Sequence, residues 1–357
     1  MFVTILLGLF SVLFAYLAKY KNTAWGLKAS FTLIFLFLAL RYNFGNDYES
    51  YFDYFIRVGQ NDQLFLFDFV QTYEPGWVLL NWLFRTTGFF SMTAVLALIS
   101  CAIYYRFIVK YVPVEYYWLA IFIYIFYPGF LLIHSSAMRQ SISIGLFVFS
   151  LGYLANKNAI RYFFCIGLAS LFHFTALILA PVYLLVFFNQ KIREVYGSIF
   201  VLIYISIFLF GSSIIPYLQL FISNFSEKYE FYQNTGVINT GLSLIYYSTL
   251  LIIILFFERI QNREVALVFK VAILSFMFFP LALIIEMTGR VGMYFAPAII
   301  VVYPIIVKSL KKPINKIIFL SMLIPITLFQ FFQFFYSDTY QDYFMNYQTI
   351  FSATQWQ

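Results

Sequence analysis

Cysteine and histidine each occur only twice among the 357 residues of this chain. Cys101 and Cys165 both fall inside apolar runs, which argues against a disulfide framework and indicates small core residues. Two histidines without a clustered Asp-x-Asp or His-x-x-x-His pattern exclude most metal-binding motifs. The chain also lacks a glycine-rich phosphate loop. We therefore expect chemistry that uses no metal and no other cofactor.

Charged side chains are scarce as well, at 10% of the residues, whereas 63% are hydrophobic and 23% are aromatic. With a mean hydropathy of +0.85, the chain has more apolar surface than one soluble core can bury. We predict an all-α polytopic membrane protein of about 10–12 transmembrane helices, forming a single membrane domain over residues 1–357. The net charge of +7 does not indicate a nucleic-acid partner, because the basic residues are spread over the loops between apolar runs.

Apolar runs of the length expected for membrane segments recur along the whole chain. They cover residues 1–18, 25–40, 76–109, 115–133, 140–155, 162–189, 195–216, 242–257, 265–285, 291–307 and 314–335.

Two of these runs predict broken helices. Run 76–109 is interrupted at Arg85–Gly88, which predicts a short entering helix followed by a full span. Run 162–189 has basic residues at both ends, and its length at about 1.5 Å per residue cannot cross a core of about 30 Å twice. It predicts a re-entrant hairpin or two half-length helices that meet near Phe172–Thr175. Because irregular backbone at membrane depth lines a cavity or is buried in protein, His173 becomes a candidate site residue.

The basic residues divide between two sets of loops. Sixteen of them share their loops with four acids, and the positive-inside rule places this set in the cytoplasm. The other set combines six basic residues with eleven acids, so both termini are predicted to lie outside. The regions predicted to be extracytoplasmic are the loops 41–75 and 217–241 and the tail 337–357, which we expect to form a cleft.

Five of the six outer basic residues are arginine, whereas eleven of the sixteen inner ones are lysine. Arginine offers a planar fork that grips a phosphate or carboxylate at two points. Arg41, Arg139 and Arg290 each lie close to the end of an apolar run, and we interpret them as convergent ligands for an anion. The alternatives are an Arg139 that snorkels into lipid headgroups and an Arg290 that only pairs with Glu286.

The first outer loop contains two further signals. Asn46 and Glu49 have capping-box spacing, which predicts a helix that presents an apolar stripe from Tyr48 onward. Pro75 suits the first helical position, which places Glu74 at the start of the short entering helix.

The composition of the outer loops indicates the class of ligand. Arginine side chains can bind a diphosphate at two points, and tyrosine and tryptophan side chains can pack against sugars and bind their hydroxyls. An outer cleft with this composition predicts a lipid diphosphate that carries a glycan.

Six short segments of the chain form a set of motifs. Arg41–Tyr48 has the pattern R-x-x-x-G-x-D-Y, and Tyr73–Gly76 reads Y-E-P-G. The other four segments are Met138–Ser143, Phe172–Ile178, Gly289–Arg290 followed by Tyr294–Phe295, and Asn346–Phe351. In this order they resemble the motifs of the EpsG type of Wzy-like polysaccharide polymerases, with Ser143 in place of that family's Ala, Thr175 in place of Ser and Asn346 in place of Pro.

The resemblance implies an enzyme of the bacterial inner membrane that polymerises O-antigen, capsule or exopolysaccharide repeat units at its outer face. A growing glycan on undecaprenyl diphosphate is then the donor, and a hydroxyl of another lipid-linked repeat unit is the acceptor. The implied partners are this lipid-linked oligosaccharide, membrane lipid and a chain-length regulator protein. Arg139, Arg290 and Arg41 are expected to bind the diphosphate.

The attacking hydroxyl calls for a base, and the candidates are His173, Glu74, Asp47 and, less strongly, His134. Glu74 is favoured over Asp47 because the Pro-Gly break directs it inward. Both carboxylates also have a simpler role in stabilising a helix dipole, and both histidines have one as satisfied polar groups. The side chains expected to contact the glycan are Tyr48, Tyr73, Gln140, Tyr294 and His134.

Two other functions fit the same residues. One is a ligase of the O-antigen type, or another glycosyltransferase that uses a lipid-phosphate sugar and makes a single transfer. The other is a transporter that flips lipid-linked glycans. Transporters commonly contain paired internal repeats, and this sequence shows no such pairing.

Overall fold

The computed structural model describes residues 1–21, 24–60, 74–187, 262–282 and 286–352, with the single residues 202, 205 and 209. The chain divides into two compact units. The first unit consists of Met1–Leu151, Ala159–Ala180 and Ile299–Gln357, and the second unit of Gly152–Asn158 and Pro181–Ala298. The predicted outer loop 217–241, the apolar run 242–257, Tyr73 and all but three residues of the apolar run 195–216 lie outside the described residues.

Helices dominate the described residues. The α-helices are α1 Phe2–Lys21, α2 Trp25–Ala39, α3 Tyr48–Gln60, α4 Pro75–Leu83, α5 Phe89–Tyr111, α6 Tyr117–Phe126, α7 Leu131–Ser136, α8 Met138–Ala155, α9 Ala159–Phe172, α10 Arg263–Ala282, α11 Glu286–Phe295, α12 Ile299–Ser309, α13 Pro313–Phe335 and α14 Gln341–Phe344. The more tightly wound 3₁₀ helices cover Val114–Tyr116, Phe174–Val186 and Ala296–Ala298.

Four stretches of the described chain are long and apolar enough to cross a membrane: Phe2–Tyr20, Phe89–Tyr111, Thr288–Ser309 and Pro313–Phe335. Shorter apolar helices accompany them, such as α2 and α9. The prediction of an all-α polytopic membrane protein is confirmed. A single membrane domain over the whole chain stays a prediction.

Both predicted helix breaks are confirmed. The entering helix α4 ends at Leu83, and α5 begins at Phe89 after Gly88, whose φ of +95° suits a residue without a Cβ. Helix α9 ends at Phe172, and the 3₁₀ helix begins at Phe174. The Tyr162 hydroxyl donates to the carbonyl of Leu179 at 2.5 Å, so the chain turns back on itself at His173.

One end of the first unit joins the N-terminus, the first loop and the C-terminal tail. The Met1 amino group donates to the carbonyls of Phe344 and Met345. Strand β1 (Arg41–Tyr42) pairs antiparallel with β2 (Gln348–Thr349). The N-terminus and the described part of the C-terminal tail therefore lie at the same end of this unit. Which side of the membrane this end faces stays a prediction.

An aromatic core supports the first loop. Tyr48, Tyr51, Phe55 and Val58 recur at helical spacing along α3, and their shared face packs against α4 and the start of α5. The partners in this core are Trp77, Val78, Phe89, Met92 and Met138. The apolar stripe predicted from Tyr48 onward is confirmed as the buried face of α3.

In the second unit, α10 packs against α11. Gly292 permits this approach, because a Cβ at this position would lie 3.2 Å from the Cβ of Phe278. The rings of Phe278 and Phe295 stack with centroids 5.7 Å apart, and the Ser275 hydroxyl donates to the carbonyl of Gly292 at 3.3 Å. Arg290 lies half-buried on α11, whereas the side chain of Glu286 lies outside the described residues.

Candidate active site

Three residues that are distant in the sequence meet in the first unit. An Arg139 guanidinium nitrogen lies 2.6 Å from Glu74 Oε2, and Nδ1 of His173 lies 3.3 Å from Glu74 Oε1. The side chains of Arg139, Glu74 and His173 are 28%, 19% and 15% exposed, so the cluster is neither buried in the core nor fully solvated. We call these three residues the Glu74 cluster.

The sequence around Glu74 explains how it reaches His173. Pro75 occupies the first turn of α4, and the backbone of Glu74 is extended at the helix start. A Cβ on Gly76 would lie 2.8 Å from the carbonyl oxygen of Leu171, so only glycine allows α4 to begin this close to the end of α9. The helix break after α9 then places His173 beside the carboxylate.

The hydrogen bond between His173 and Glu74 indicates which ring nitrogen is the donor. Since a carboxylate only accepts, Nδ1 donates its proton to Glu74, and in the imidazole form of the ring the lone pair lies on Nε2. Nε2 is buried and has no hydrogen-bond partner within the described part of the chain. An unpartnered basic nitrogen next to an orienting carboxylate is the arrangement that a general base requires.

Arg139 is the second residue of α8, so its positive charge lies at the positive end of a helix dipole. This position is unfavourable unless negative or electron-rich groups compensate for it. Glu74 provides a charge, and the Tyr51 ring lies with its centroid 5.8 Å from the guanidinium carbon. An additional anion bound to this guanidinium would also be stabilised by the positive end of the helix dipole.

The carboxyl group of Glu74 titrates far below its usual range. Burial alone would raise its pKa. The hydrogen bond from His173 and the charge of Arg139 together outweigh burial and lower the pKa to about 2. Such a carboxylate is a weak base at neutral pH, although Glu74 is the favoured carboxylate in the sequence. The geometry is better suited to Glu74 as the residue that orients His173.

Arg41 has a different environment. Its side chain is 4% exposed, and the guanidinium donates to the carbonyl of Leu38 and, at 3.2 Å, to that of Ser135. These carbonyls belong to the last turns of α2 and α7, where a cation is favourable. The Tyr48 hydroxyl in turn donates to the carbonyl of Arg41 at 3.3 Å. Both side chains therefore help to build the first loop.

The segment Gly45–Asp47 binds to the end of α7. Gly45 has a φ of +127°, and a Cβ there would lie 3.0 Å from the Cα of Ser136. The Ser136 hydroxyl donates to Asn46 at 2.6 Å and accepts from the backbone N–H of Asp47 at 3.1 Å. Helix α3 begins where it was predicted, but Glu49 accepts its hydrogen bond from Asn43, at 2.7 Å, and not as part of a capping box with Asn46.

The other predicted site residues have the following surroundings. His134 is 7% exposed, and its Nδ1 lies 3.3 Å from the Tyr104 hydroxyl. Gln140 is buried on α8. Tyr294 is buried in the second unit, where Arg290 also lies. Their roles in substrate binding, like that of the half-buried Asp47, stay predictions.

Tyr51 is a contact that the sequence did not identify as part of the site. A hydrogen bond links its side chain to Arg139, and burial, the largest influence, raises the pKa of its hydroxyl. Its position three residues after Tyr48, on the same face of α3, was the available signal. That spacing predicts a buried aromatic residue but does not predict which cation it meets.

A family model described as the EpsG family matches residues 25–349. The matched range includes all three members of the Glu74 cluster together with Arg41 and Arg290. No curated protein and no solved protein structure matches the chain.

Proposed function

The chain belongs to the EpsG family, and from this premise we propose that it polymerises lipid-linked repeat units at the outer face of a bacterial inner membrane. The family supports a polysaccharide-polymerase role in general. The finer assignment is our proposal: a growing glycan passes from undecaprenyl diphosphate to a hydroxyl of a second lipid-linked repeat unit. The observation that carries it is the Glu74 cluster, which combines a base, its orienting carboxylate and an arginine.

In the proposed step, the oxygen of the acceptor hydroxyl attacks the anomeric carbon of the donor sugar. The bond between that carbon and the diphosphate oxygen breaks, and undecaprenyl diphosphate leaves with the electron pair. His173 Nε2 takes the hydroxyl proton, and Glu74 stabilises the imidazolium through the proton on Nδ1. Asp47 is the weaker base candidate, because Glu74 is the carboxylate that contacts His173.

Arg139 supports the departure of the diphosphate. Its side chain is the most exposed of the three, at 28%, and its guanidinium already binds an anion in the form of Glu74. Electrostatic stabilisation of developing charge is usually the largest single contribution to catalysis. Because arginine supplies this charge and a diphosphate leaves readily, we propose a metal-independent reaction. A chain-length regulator protein remains an expected partner.

The test is a reconstituted reaction of the purified protein in nanodiscs with a defined repeat unit on a polyprenyl diphosphate. We expect a ladder of products together with release of free lipid diphosphate. Arg139→Ala should abolish both signals while the protein still folds. Arg85→Ala is the matched control, because Arg85 is an exposed arginine stacked on Trp82, with 4.5 Å between its guanidinium carbon and the ring. It should retain the ladder.

The alternatives give different outcomes in the same assay. One transfer per acceptor without a ladder would replace the polymerase by a ligase-type transferase. Movement of the lipid-linked glycan across the bilayer without release of lipid diphosphate would indicate a transporter. An unchanged ladder in the Arg139→Ala protein would overturn the role of the cluster.

A further inference from the structure

Tyr51 connects three helices at the Glu74 cluster. It belongs to α3, and its ring packs edge-on against Trp77 of α4, with the two ring centroids 5.0 Å apart. Trp77 is itself buried and follows Glu74 by three residues. On α8, Arg139 lies with its guanidinium carbon 5.8 Å from the centroid of the Tyr51 ring. The aromatic core therefore fixes the position of the Tyr51 ring beside Arg139.

The hydroxyl of Tyr51 binds two parts of the same arginine. It accepts one hydrogen bond from the guanidinium of Arg139 and another from the backbone N–H of Arg139, because arginine nitrogens only donate. This N–H lies in the first turn of α8, where the helix itself supplies no carbonyl acceptor. One oxygen thus caps the start of α8 and holds the arginine side chain that projects from it.

Glu74 and Tyr51 bind the guanidinium in different ways. The Glu74 carboxylate is negative, so it compensates the charge of Arg139. Tyr51 is neutral, because burial raises the pKa of its hydroxyl above an already high value. A neutral acceptor fixes the direction of a guanidinium and leaves its charge available to another anion.

We propose that Tyr51 is a positioning residue, whose hydroxyl holds the guanidinium of Arg139 in the orientation that the transfer reaction needs. This inference rests on the proposed function, in which Arg139 stabilises the departing charge. Tyr51 acts through Arg139 and does not touch the reacting atoms. A guanidinium that is already oriented does not have to reorganise as charge develops, and this preorganisation is the source of electrostatic catalysis.

The test is Tyr51→Phe, which keeps the ring against Trp77 and removes only the hydroxyl. In the reconstituted reaction we expect kcat to fall about tenfold, the lower end of what a hydrogen bond to a charged group contributes. The KM for the lipid-linked donor should stay close to that of the parent, because the charge of Arg139 is still present. Turnover is counted per folded molecule, and the thermal midpoint is measured in parallel.

Tyr54→Phe is the matched control. Tyr54 is a tyrosine of the same helix, is 3% exposed, and has its ring centroid 6.0 Å from the guanidinium carbon of Arg57. Arg57 is an exposed arginine outside the Glu74 cluster. The same chemical change at Tyr54 should leave kcat unchanged. An equal fall of kcat in both variants would overturn the proposal, because the loss of any buried hydroxyl from α3 would then be sufficient.

Infrared spectroscopy gives a second readout that does not depend on turnover. With arginine labelled with ¹³C at the guanidinium carbon, the difference between the parent and Tyr51→Phe should show a shifted arginine band. The difference between the parent and Tyr54→Phe should show no such shift. A shifted band with an unchanged kcat would overturn the positioning role. A fall in the thermal midpoint with an unchanged kcat would likewise reduce Tyr51 to a structural residue.

Failure of this inference can be distinguished from failure of the proposed function. If the parent makes a ladder and Tyr51→Phe makes it at the same rate, the polymerase assignment stands and the role of Tyr51 is wrong. If the arginine band shifts as expected but the parent transfers no repeat unit, the contact with Arg139 stands. The polymerase assignment then falls, and the positioning role falls with it.

Discussion

Two regions of the first unit contain polar residues from the family resemblance, and the chain uses them differently. In the loop Arg41–Tyr48, the polar groups bond mainly to the protein itself, as with Arg41 on two helix ends and Asn46 on Ser136. In the Glu74 cluster, the charged side chains are partly exposed, and a basic nitrogen of His173 has no partner within the described residues. The polar residues of a short motif can therefore serve either to hold the fold or to act on a substrate.

The physical basis of the difference is the cost of burying polar groups. A polar group that is removed from water must find a partner, and in the first loop the backbone of α2 and α7 provides it. A site that acts on a substrate has to leave some of that capacity unused. The comparison predicts that changes in the cluster affect turnover, whereas changes in the loop affect stability.

Among the changes that compare these two regions, the largest effect is expected for His173. His173→Ala removes the proposed base and should lower the rate of polymerisation by about 10²–10⁴-fold, the usual contribution of a general base. The measurement is initial polymer formation by the reconstituted protein, together with its thermal midpoint. Phe174→Ala is the control, because Phe174 is the exposed neighbour of His173 and should retain the rate.

Turnover of the His173→Ala protein within threefold of the parent would remove the base from the mechanism. A large fall in its thermal midpoint would instead place His173 with the structural residues of the first loop.

An intermediate effect is expected for Gly45. Gly45→Ala forces a side chain into a left-handed conformation against Ser136, which should cost about 1–3 kcal/mol of stability. The thermal midpoint in detergent should fall, whereas turnover per folded molecule should stay close to that of the parent. Gly167→Ala is the matched control, since nothing lies within 4 Å of the added Cβ, and its midpoint should not fall.

If Gly45→Ala keeps its thermal midpoint and loses turnover, the first loop belongs to the catalytic machinery and the contrast between the two regions disappears.

The smallest effect concerns Glu74 and pH. Its pKa is lowered to about 2 from an ordinary value of 4.5, so the carboxylate persists when an ordinary glutamate is protonated. A lowered pKa stabilises the folded protein above about pH 4.5, and this contribution is lost only as the pH falls toward 2. The infrared difference between the parent and Glu74→Gln should therefore show a carboxylate band that is unchanged from pH 8 to pH 4.

A carboxylic acid band that grows between pH 5 and pH 4 in that difference spectrum would show that Arg139 and His173 do not hold the charge of Glu74.

Much of the architecture was predictable because it depends on local properties of the chain. Apolar length identified the membrane helices, and the turn at Arg85–Gly88 and the break at His173 were visible as interruptions. Glu74, Arg139 and His173 were each identified as candidates from their positions near helix ends. Their pairing was not predictable, because 65 and 99 residues separate Glu74 from its two partners.

Composition and hydropathy alone determined that this chain is a helical membrane protein with its lysines concentrated in one set of loops, because the cost of placing charge in hydrocarbon acts on every residue separately. The tertiary structure alone decided which polar groups are used to hold the fold and which stay available. That choice depends on the distances between side chains from different helices. Arg41 and Arg139 look alike as residues in the sequence, yet one is surrounded by backbone carbonyls and the other meets a carboxylate beside an unpartnered histidine nitrogen.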